Sequence, residues 1–345
     1  MKNLTAATPA EARPGGSTSH GGGSAAAPEW FLRNCAVEPA EGYTRFEGTD
    51  LHWLRWGDPA APPLVLVHGG ASHASWWAPL APFLADRWCV IAPDLSGMGD
   101  SGWHPEGYVT ERWADELLAT VDAARTVDAA RAVDAATAVG GAGSRTQAAK
   151  PVLVGHSLGG TVVGVAGVRH PERVGGVVLC DIGVSRAGQA RRSGRHFKNR
   201  ITYPTAAEAT SRFKLVPRQD CSNLWMVDHI ARTSIRGVGP GGADDPTRPP
   251  AGEEQAWAWK FDWRLFARST ERPFADYLAD LSRGGLPVAC LNGANSAVAT
   301  PEVAERVRSY LGAKPTVWIP EARHHLMLDQ PIAFVAALLA ILEGM

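Results

Sequence analysis

The chain has 345 residues, a formal net charge of −1 at pH 7 and a pI near 6.8. Its hydrophobic content of 45% and charged content of 20% are ordinary for a globular protein, and this balance favours neither nucleic acid nor anionic membranes as partners. Five scattered cysteines without a CxxC motif indicate free thiols in a reducing compartment. No apolar run approaches the roughly 18 residues of a membrane span, so we expect a cytoplasmic protein.

The first 28 residues are rich in Gly, Ser, Ala and Pro. They lack the continuous apolar core of a signal peptide, and GGGSAAAP is typical of a flexible linker. The composition therefore predicts a disordered tail over residues 1–28.

Short apolar runs alternate with helical patterns from about residue 43 onward. GYTRFEG and LHWLRWG predict an antiparallel pair, and the later runs have the near-continuous Val/Leu/Ile content of strands buried on both faces. These runs are PLVLVHGG (63–70), WCVIAPD (88–94), PVLVGHS (151–157), RVGGVVLCD (173–181), LPVACLNG (286–293) and TVWIP (316–320). The alternation predicts an α/β fold with a doubly wound, mostly parallel sheet.

Two segments interrupt this alternation and divide the chain. Residues 121–150 begin with a six-residue repeat that cannot keep its valines on one helical face, which predicts an Ala-rich helix extension followed by a loop. Residues 185–272 are too long for a simple crossover and predict an inserted, mainly helical cap over the carboxyl ends of the strands. The core is then expected to comprise residues 29–184 and 273–345.

The segment LVGHSLGG contains a G-x-S-x-G motif centred on Ser157. An apolar strand precedes the motif and a small-residue helix follows it, which is the context of a nucleophile elbow. Such a turn exposes the serine oxygen near a helix N-terminus, where the dipole favours developing negative charge. The pattern predicts Ser157 as the nucleophile, the alternative being a structural serine in a tight turn.

A serine nucleophile needs a base and donors for the oxyanion. PEARHHLMLDQP supplies His324 and His325 in the loop after the last strand, and adjacent side chains there cannot both point at the serine. We favour His324 as the base and expect His325 to turn toward the core or a neighbouring loop. The amide of Leu158 and one from VHGGASH, Gly70 before Ala71, are the predicted oxyanion donors.

Taken together, PLVLVHGG, VIAPDLSGMGDSG, LVGHSLGG and HHLMLDQP resemble, in this order, the motifs of the α/β-hydrolase fold superfamily with a lid domain. The resemblance covers roughly residues 42–344 and is weakest in the cap. It implies a hydrolase without specifying the substrate, since the superfamily supports many reactions. Epoxide hydrolases and haloalkane dehalogenases of this superfamily use aspartate at the elbow, so Ser157 argues against both.

In many members of that superfamily the triad acid lies in the turn after the penultimate strand, where this chain has Asn295. Asn cannot neutralise an imidazolium, so the acid is sought elsewhere. Asp181 ends the strand that follows the elbow strand, and some lipases and esterases resemble this sequence in carrying their acid there. We predict Asp181 as the acid, with Asn295 beside His324 as a neutral hydrogen-bonding neighbour. The alternatives are a triad completed by Asn295 or by an acid that the sequence does not reveal.

These residues predict a serine hydrolase that cleaves a carboxylic ester of a small, apolar substrate without a cofactor. No metal or nucleotide signature is present, and tryptophans in the cap and after the oxyanion loop indicate an apolar pocket. A carbon–carbon bond hydrolase or an amidase would use the same residues. A non-catalytic ligand-binding homologue is the alternative from another class, and the oligomeric state is left open.

Overall fold

The computed structural model describes residues 26–136, 149–184, 200–239, 256–267 and 272–345. The predicted tail therefore lies almost wholly outside the described residues, as does the loop of the 121–150 segment.

The strands of the described part of the chain are β1 (Ala40–Phe46), β2 (Thr49–Trp56), β3 (Pro63–Val67), β4 (Cys89–Pro93), β5 (Val152–His156), β6 (Gly176–Cys180), β7 (Thr202–Tyr203), β8 (Ile235–Val238), β9 (Ala256–Trp259), β10 (Val288–Gly293) and β11 (Thr316–Ile319).

The helices alternate with these strands as the sequence predicts. They are α1 (Glu29–Cys35), α2 (Thr110–Ala136), α3 (Leu158–Arg169), α4 (Ala206–Ser211), α5 (Leu224–Thr233), α6 (Phe274–Arg283), α7 (Pro301–Leu311), α8 (Leu326–Asp329) and α9 (Pro331–Glu343). Helix α2 runs without a break into the repeat, which confirms the predicted helical extension. Among the described helices, none is both long and apolar enough to cross a membrane.

Eight strands form one sheet in the order β1-β2-β4-β3-β5-β6-β10-β11. The pair β1–β2 is antiparallel and β2 joins β4 antiparallel, whereas the strands from β4 to β11 are mutually parallel. This confirms the predicted doubly wound sheet and brings the carboxyl ends of its parallel strands to one edge.

The central strands are buried on both faces, which explains their uninterrupted apolar sequences. In β3, Val65 and Val67 pack into one core cluster, with residues of α2, α3, α6 and α7. The alternate residues Leu64 and Leu66 pack into a second cluster, with residues of α1, α5 and α9. Side chains alternate across a strand, so each strand is held between two helical layers.

Part of the segment 200–267 forms a small antiparallel sheet in the order β7-β9-β8. This sheet was not predicted, although the Ala-Trp-Ala-Trp sequence of β9 has the two-residue period of a strand. It contacts the loop after β4, where the amide of Gly99 donates to the carbonyl of Lys260 (2.7 Å) and that of Asp262 to the carbonyl of Gly97 (2.7 Å). The small sheet is thereby joined to the loop that follows the carboxyl end of β4.

The turn from β5 into α3 depends on glycine at two positions. Ser157 has φ 54° and ψ −114°, a conformation that is rare for a residue with a side chain. A β-carbon on Gly155 would overlap the carbonyl oxygen of Gly159, and one on Gly159 would lie 2.5 Å from the carbonyl oxygen of His68. Both positions therefore require glycine, because β5, α3 and the end of β3 lie too close together to leave room for a side chain.

The Gly155→Ala substitution is expected to lower the free energy of unfolding by about 3 kcal/mol, because its methyl group forces backbone atoms apart. The matched control is Gly284→Ala at the end of α6. Its φ of −73° suits alanine, and the nearest atom to the new methyl would be 3.5 Å away. Urea denaturation should therefore show a change below about 1 kcal/mol for the control. Equal losses in the two variants would contradict the steric explanation.

Candidate active site

Ser157 stands at the tip of the turn, half-buried, at the carboxyl edge of the sheet. Its Oγ lies 3.1 Å from Nε2 of His324. His324 follows β11 in a loop and is 2% exposed. The structure thus brings together the two residues that the sequence predicts as nucleophile and base, at hydrogen-bonding distance.

Asp181 follows β6 and lies on the far side of His324. Its Oδ1 is 2.7 Å from Nδ1 of His324, and the carboxylate is completely buried. Because a carboxylate can only accept, Nδ1 carries the proton and Nε2 is left to accept from the hydroxyl of Ser157. The three side chains form one continuous hydrogen-bonded series.

Two further donors hold the Asp181 carboxylate, and both come from the end of β10. The amide of Gly293 donates to Oδ2 (2.9 Å) and the hydroxyl of Ser296 donates to Oδ1 (2.6 Å). A buried charge needs this number of partners to offset its lost hydration. Ser296 was not predicted as a site residue. Its position next to Asn295 in the same polar turn is the sequence feature that could have identified it.

The expected hydrogen bond between Asn295 and His324 is not formed. The side chain of Asn295 is exposed, its backbone amide donates to the carbonyl of Ala322 (2.8 Å), and both ring nitrogens of His324 are already hydrogen-bonded to other residues. In this turn Ser296 points inward and Asn295 outward, so the serine, rather than the asparagine, contacts the acid.

Two other histidines surround His324. Nε2 of His156 donates to the carbonyl of His324 (2.8 Å), and burial keeps the pKa of His156 well below its usual value. The ring of His325 is buried, and its centroid lies 5.5 Å from that of Trp76 and 4.9 Å from that of His324. Burial, reinforced by His324, lowers the pKa of His325 to about 3, so its ring is neutral at physiological pH.

The loop after β3 packs directly on the elbow. A β-carbon on Gly69 would lie 3.4 Å from Cβ of Ser157, and one on Gly70 would lie 3.6 Å from a methyl of Leu158. Neither the Gly70 amide nor the Leu158 amide, the first of α3, has an acceptor among the described residues. The Ala71 amide is occupied, since it lies 3.3 Å from Sδ of Met98. These contacts favour Gly70 over Ala71 as the partner of Leu158.

A buried network fixes this loop from behind. Nδ1 of His68 donates to the carbonyl of Gly69 (2.8 Å), and its Nε2 accepts from the amide of Leu95 (3.1 Å). Asp94 accepts from the amides of Ala74 (2.6 Å) and Asp100 (2.8 Å) and so bonds the backbone of this loop and of the loop after β4. The loop geometry is therefore set before any ligand binds.

His52 completes that network. Its Nδ1 lies 2.7 Å from Asp94 and its Nε2 lies 2.9 Å from Glu41. Burial alone would lower the pKa of His52, but the hydrogen bond and charge of Asp94 outweigh it and raise the pKa to about 8. The charged His52 in turn helps to lower the pKa of the buried Asp94 below its usual range.

A cavity of about 310 Å³ opens beside Gly70 and His325, between the main sheet and the segment 200–267. Trp76, Trp259 and Trp263 line it, so tryptophans from the loop after β3 and from the predicted cap both face this cavity. Trp77, which we also expected in the pocket, instead packs in the core against Phe334.

Two groups of side chains in the described part of the chain place possible metal-ligand atoms within 4.8 Å of one another. In the first group, His156, His324 and His325, a metal would have to compete with Ser157 or Asp181 for the nitrogens of His324. In the second, around His52 and Asp94, the donors already bind one another. Both groups have functions in the hydrogen-bond network that need no ion.

Residues 62–331 match a family model described as the alpha/beta hydrolase fold. An esterase of Mycobacterium tuberculosis, Rv0045c, is 24% identical over 84% of this chain and 85% of its own length. A 2-hydroxymuconate semialdehyde hydrolase of a Pseudomonas species is 31% identical over 34% of this chain. Apart from the esterase, the first curated relatives match this chain over only about a third of their own length.

Solved structures give the same fold. An E-2-(acetamidomethylene)succinate hydrolase has a TM-score of 0.63 at 17% identity, over 89% of this chain and 100% of its own. The M. tuberculosis esterase has a TM-score of 0.61 at 19% identity, over 91% and 97% of the two chains. At such identities the likeness establishes the architecture rather than the substrate.

The pKa of His52 predicts a loss of stability in mild alkali. The folded protein holds this proton up to about pH 8, whereas the unfolded chain releases it near pH 6.5. The stabilisation is therefore complete below pH 6.5 and disappears as the pH rises through 8. We expect the free energy of unfolding to fall by about 2 kcal/mol between pH 6 and pH 9. Urea titrations should show this slope in the wild type and not in His52→Gln; parallel slopes would contradict the assignment.

Proposed function

Because this chain belongs to the α/β-hydrolase fold family, we propose that it is a serine hydrolase that cleaves a carboxylic ester of a small molecule. One observation carries the proposal: the hydrogen-bonded series from Asp181 through His324 to Ser157, at 2.7 Å and 3.1 Å. A serine hydroxyl becomes a useful nucleophile only when a base of this kind removes its proton.

In the proposed first step, Oγ of Ser157 attacks the ester carbonyl carbon and Nε2 of His324 takes its proton. The negative charge of Asp181 stabilises the imidazolium and holds Nε2 toward the serine. The amides of Gly70 and Leu158 donate to the oxygen that becomes negative. His324 then returns the proton to the departing alcohol, and an acyl group remains on Ser157.

Water completes the reaction. His324 removes a proton from a water molecule, which attacks the acyl carbon. The second tetrahedral intermediate then collapses as Nε2 of His324 returns this proton to Oγ of Ser157, and the free acid leaves. The amide of Gly293 and the hydroxyl of Ser296 both donate to the Asp181 carboxylate, and these hydrogen bonds hold it beside His324.

An amidase is the second candidate, because the same residues would cleave an amide and one relative is a pyrrolizixenacetamide deacetylase of Xenorhabdus hominickii, 31% identical over 35% of this chain. A carbon–carbon bond hydrolase would also use these residues. The preorganised Ser157–His324 pair argues against a purely ligand-binding protein, which needs no such pair. Ester and amide substrates with the same acyl group separate the first two candidates.

Ser157→Ala should abolish the hydrolysis of short p-nitrophenyl esters, with a fall of at least about 10³-fold in kcat, because no nucleophile remains. A fluorophosphonate should label the wild type and not this variant. Ser309→Ala is the control, since its hydroxyl is exposed and bonds only the helix carbonyl of Arg306. Undiminished turnover by Ser157→Ala would refute the proposed nucleophile.

The acid assignment has its own test. Asp181→Asn should lower kcat about 10²- to 10⁴-fold because the imidazolium loses its counter-charge. Ser296→Ala should lower it about tenfold through the loss of one hydrogen bond to a charged group. Asn295→Ala, at an exposed side chain that forms no hydrogen bond with His324, should stay within about twofold of the wild type. The reverse order of Asp181→Asn and Asn295→Ala would show that Asp181 is not the acid.

A further inference from the structure

The cavity beside Gly70 has an apolar interior. Its aromatic lining comes from both the oxyanion loop and the segment 200–267, and comprises Trp76, Tyr203, Phe213, Trp259, Phe261 and Trp263. A volume of about 310 Å³ suits a small organic group. Because Gly70 and His325 adjoin Leu158 and His324, one end of this cavity meets the reacting centre.

The mouth of the cavity carries positive charge without a compensating partner. Arg212, Lys214 and Arg218 line it, all three are exposed, and none forms an ion pair with a described residue. Lys260 also lines it but is paired with Asp100 (2.6 Å). No carboxylate of a described residue lines the cavity.

Arg200 lines the same cavity and adds a further basic side chain to it. Burial and, to a smaller extent, the neighbouring cation of Arg236 lower the pKa of Arg200 to about 10, while Asp262 acts in the opposite direction. Since a pKa of about 10 leaves the guanidinium charged at neutral pH, it can attract a ligand that brings negative charge. Basic residues on the open surface alone would not line a cavity that reaches Gly70, as these residues do.

His325 supplies a polar contact at the inner end. Its ring is 3% exposed and lines the cavity. The backbone of Val216 is nearby, but neither ring nitrogen has a hydrogen-bond partner among the described residues. A buried imidazole without partners is costly, and a polar atom of a bound ligand would remove this cost.

We propose that the substrate of this site is an amphiphilic anion, an ester in which an apolar segment separates the reacting carbonyl from an anionic group that binds Arg212, Lys214 and Arg218. The inference rests on the proposed function for the ester bond, while the anion preference is a property of the cavity itself. In this arrangement His325 contacts a polar atom near the carbonyl, and the aromatic lining holds the apolar segment.

Equilibrium binding tests the cavity without any turnover. Isothermal titration calorimetry should show that 4-phenylbutyrate binds the wild type about tenfold more tightly than 4-phenylbutanamide at low salt, with the difference shrinking as salt screens the charges. A phosphonate of the same length identifies whether carboxylate or phosphonate is preferred. Equal affinity for the acid and the amide would overturn the inference.

Turnover tests the link to the reaction. The ratio of kcat/KM for 4-nitrophenyl hydrogen adipate to that for 4-nitrophenyl hexanoate should be about ten or more in the wild type. It should approach one in the triple variant Arg212→Gln, Lys214→Gln, Arg218→Gln. The control triple variant Arg33→Gln, Arg87→Gln, Arg308→Gln removes the same charge from exposed positions outside the cavity and should keep the ratio.

The outcomes separate the two proposals. Hydrolysis of both esters at equal rates, or an equal fall of the ratio in both triple variants, would overturn the anion preference and leave the serine hydrolase intact. Tighter binding of the acid with no hydrolysis of either ester would support the anion site and overturn the ester hydrolase.

Discussion

The buried carboxylate of Asp181 is the interaction on which the geometry of the site depends. It follows β6, yet its partners come from the ends of β10 and β11: Gly293, Ser296 and His324. Because β10 lies between β6 and β11 in the sheet, one charge ties three strand ends together. Leaving any of these hydrogen bonds unmade would cost free energy at this buried site, so the arrangement is reached only when the register of all three strands is correct.

A second buried carboxylate does the same for the oxyanion loop. Asp94 joins the end of β4 to the turn at Ala74 and, through His52, to β2. His68 restrains Gly69 from the other side. His324 and the proposed oxyanion donor Gly70 thus belong to separate loops, and each loop is positioned by a buried hydrogen-bond network around a carboxylate rather than by apolar packing, which is less directional.

Much of this arrangement could be predicted because it follows from backbone chemistry. Apolar runs identified the parallel strands, and the glycines around Ser157 identified a turn too tight for side chains. What could not be predicted is the direction of side chains in an irregular turn. Asn295 and Ser296 are adjacent and both polar, and only the dihedral angles after Gly293 decide which of them meets Asp181.

The segment 200–267 was the least predictable for a related reason. Its strands are two to four residues long, and such short strands depend on pairing with distant residues more than on local preference. The alternation of alanine and tryptophan in β9 was a genuine strand signal within a helix-like composition.

The parts of the molecule that could be predicted from the sequence and the parts that could not have different roles. The strand ends carry the proposed reacting groups, and their spacing is constrained by the hydrogen-bond ladder of the sheet, so the proposed chemistry can be recognised from short motifs. Much of the cavity wall comes from the loop after α4 and from β9, which lie outside the eight-stranded sheet. Substitutions there change the charge and shape of the cavity without moving Ser157 or His324. Selectivity in this fold therefore has to be derived from the particular residues that face the cavity, and in this chain those residues are aromatic within and cationic at the mouth.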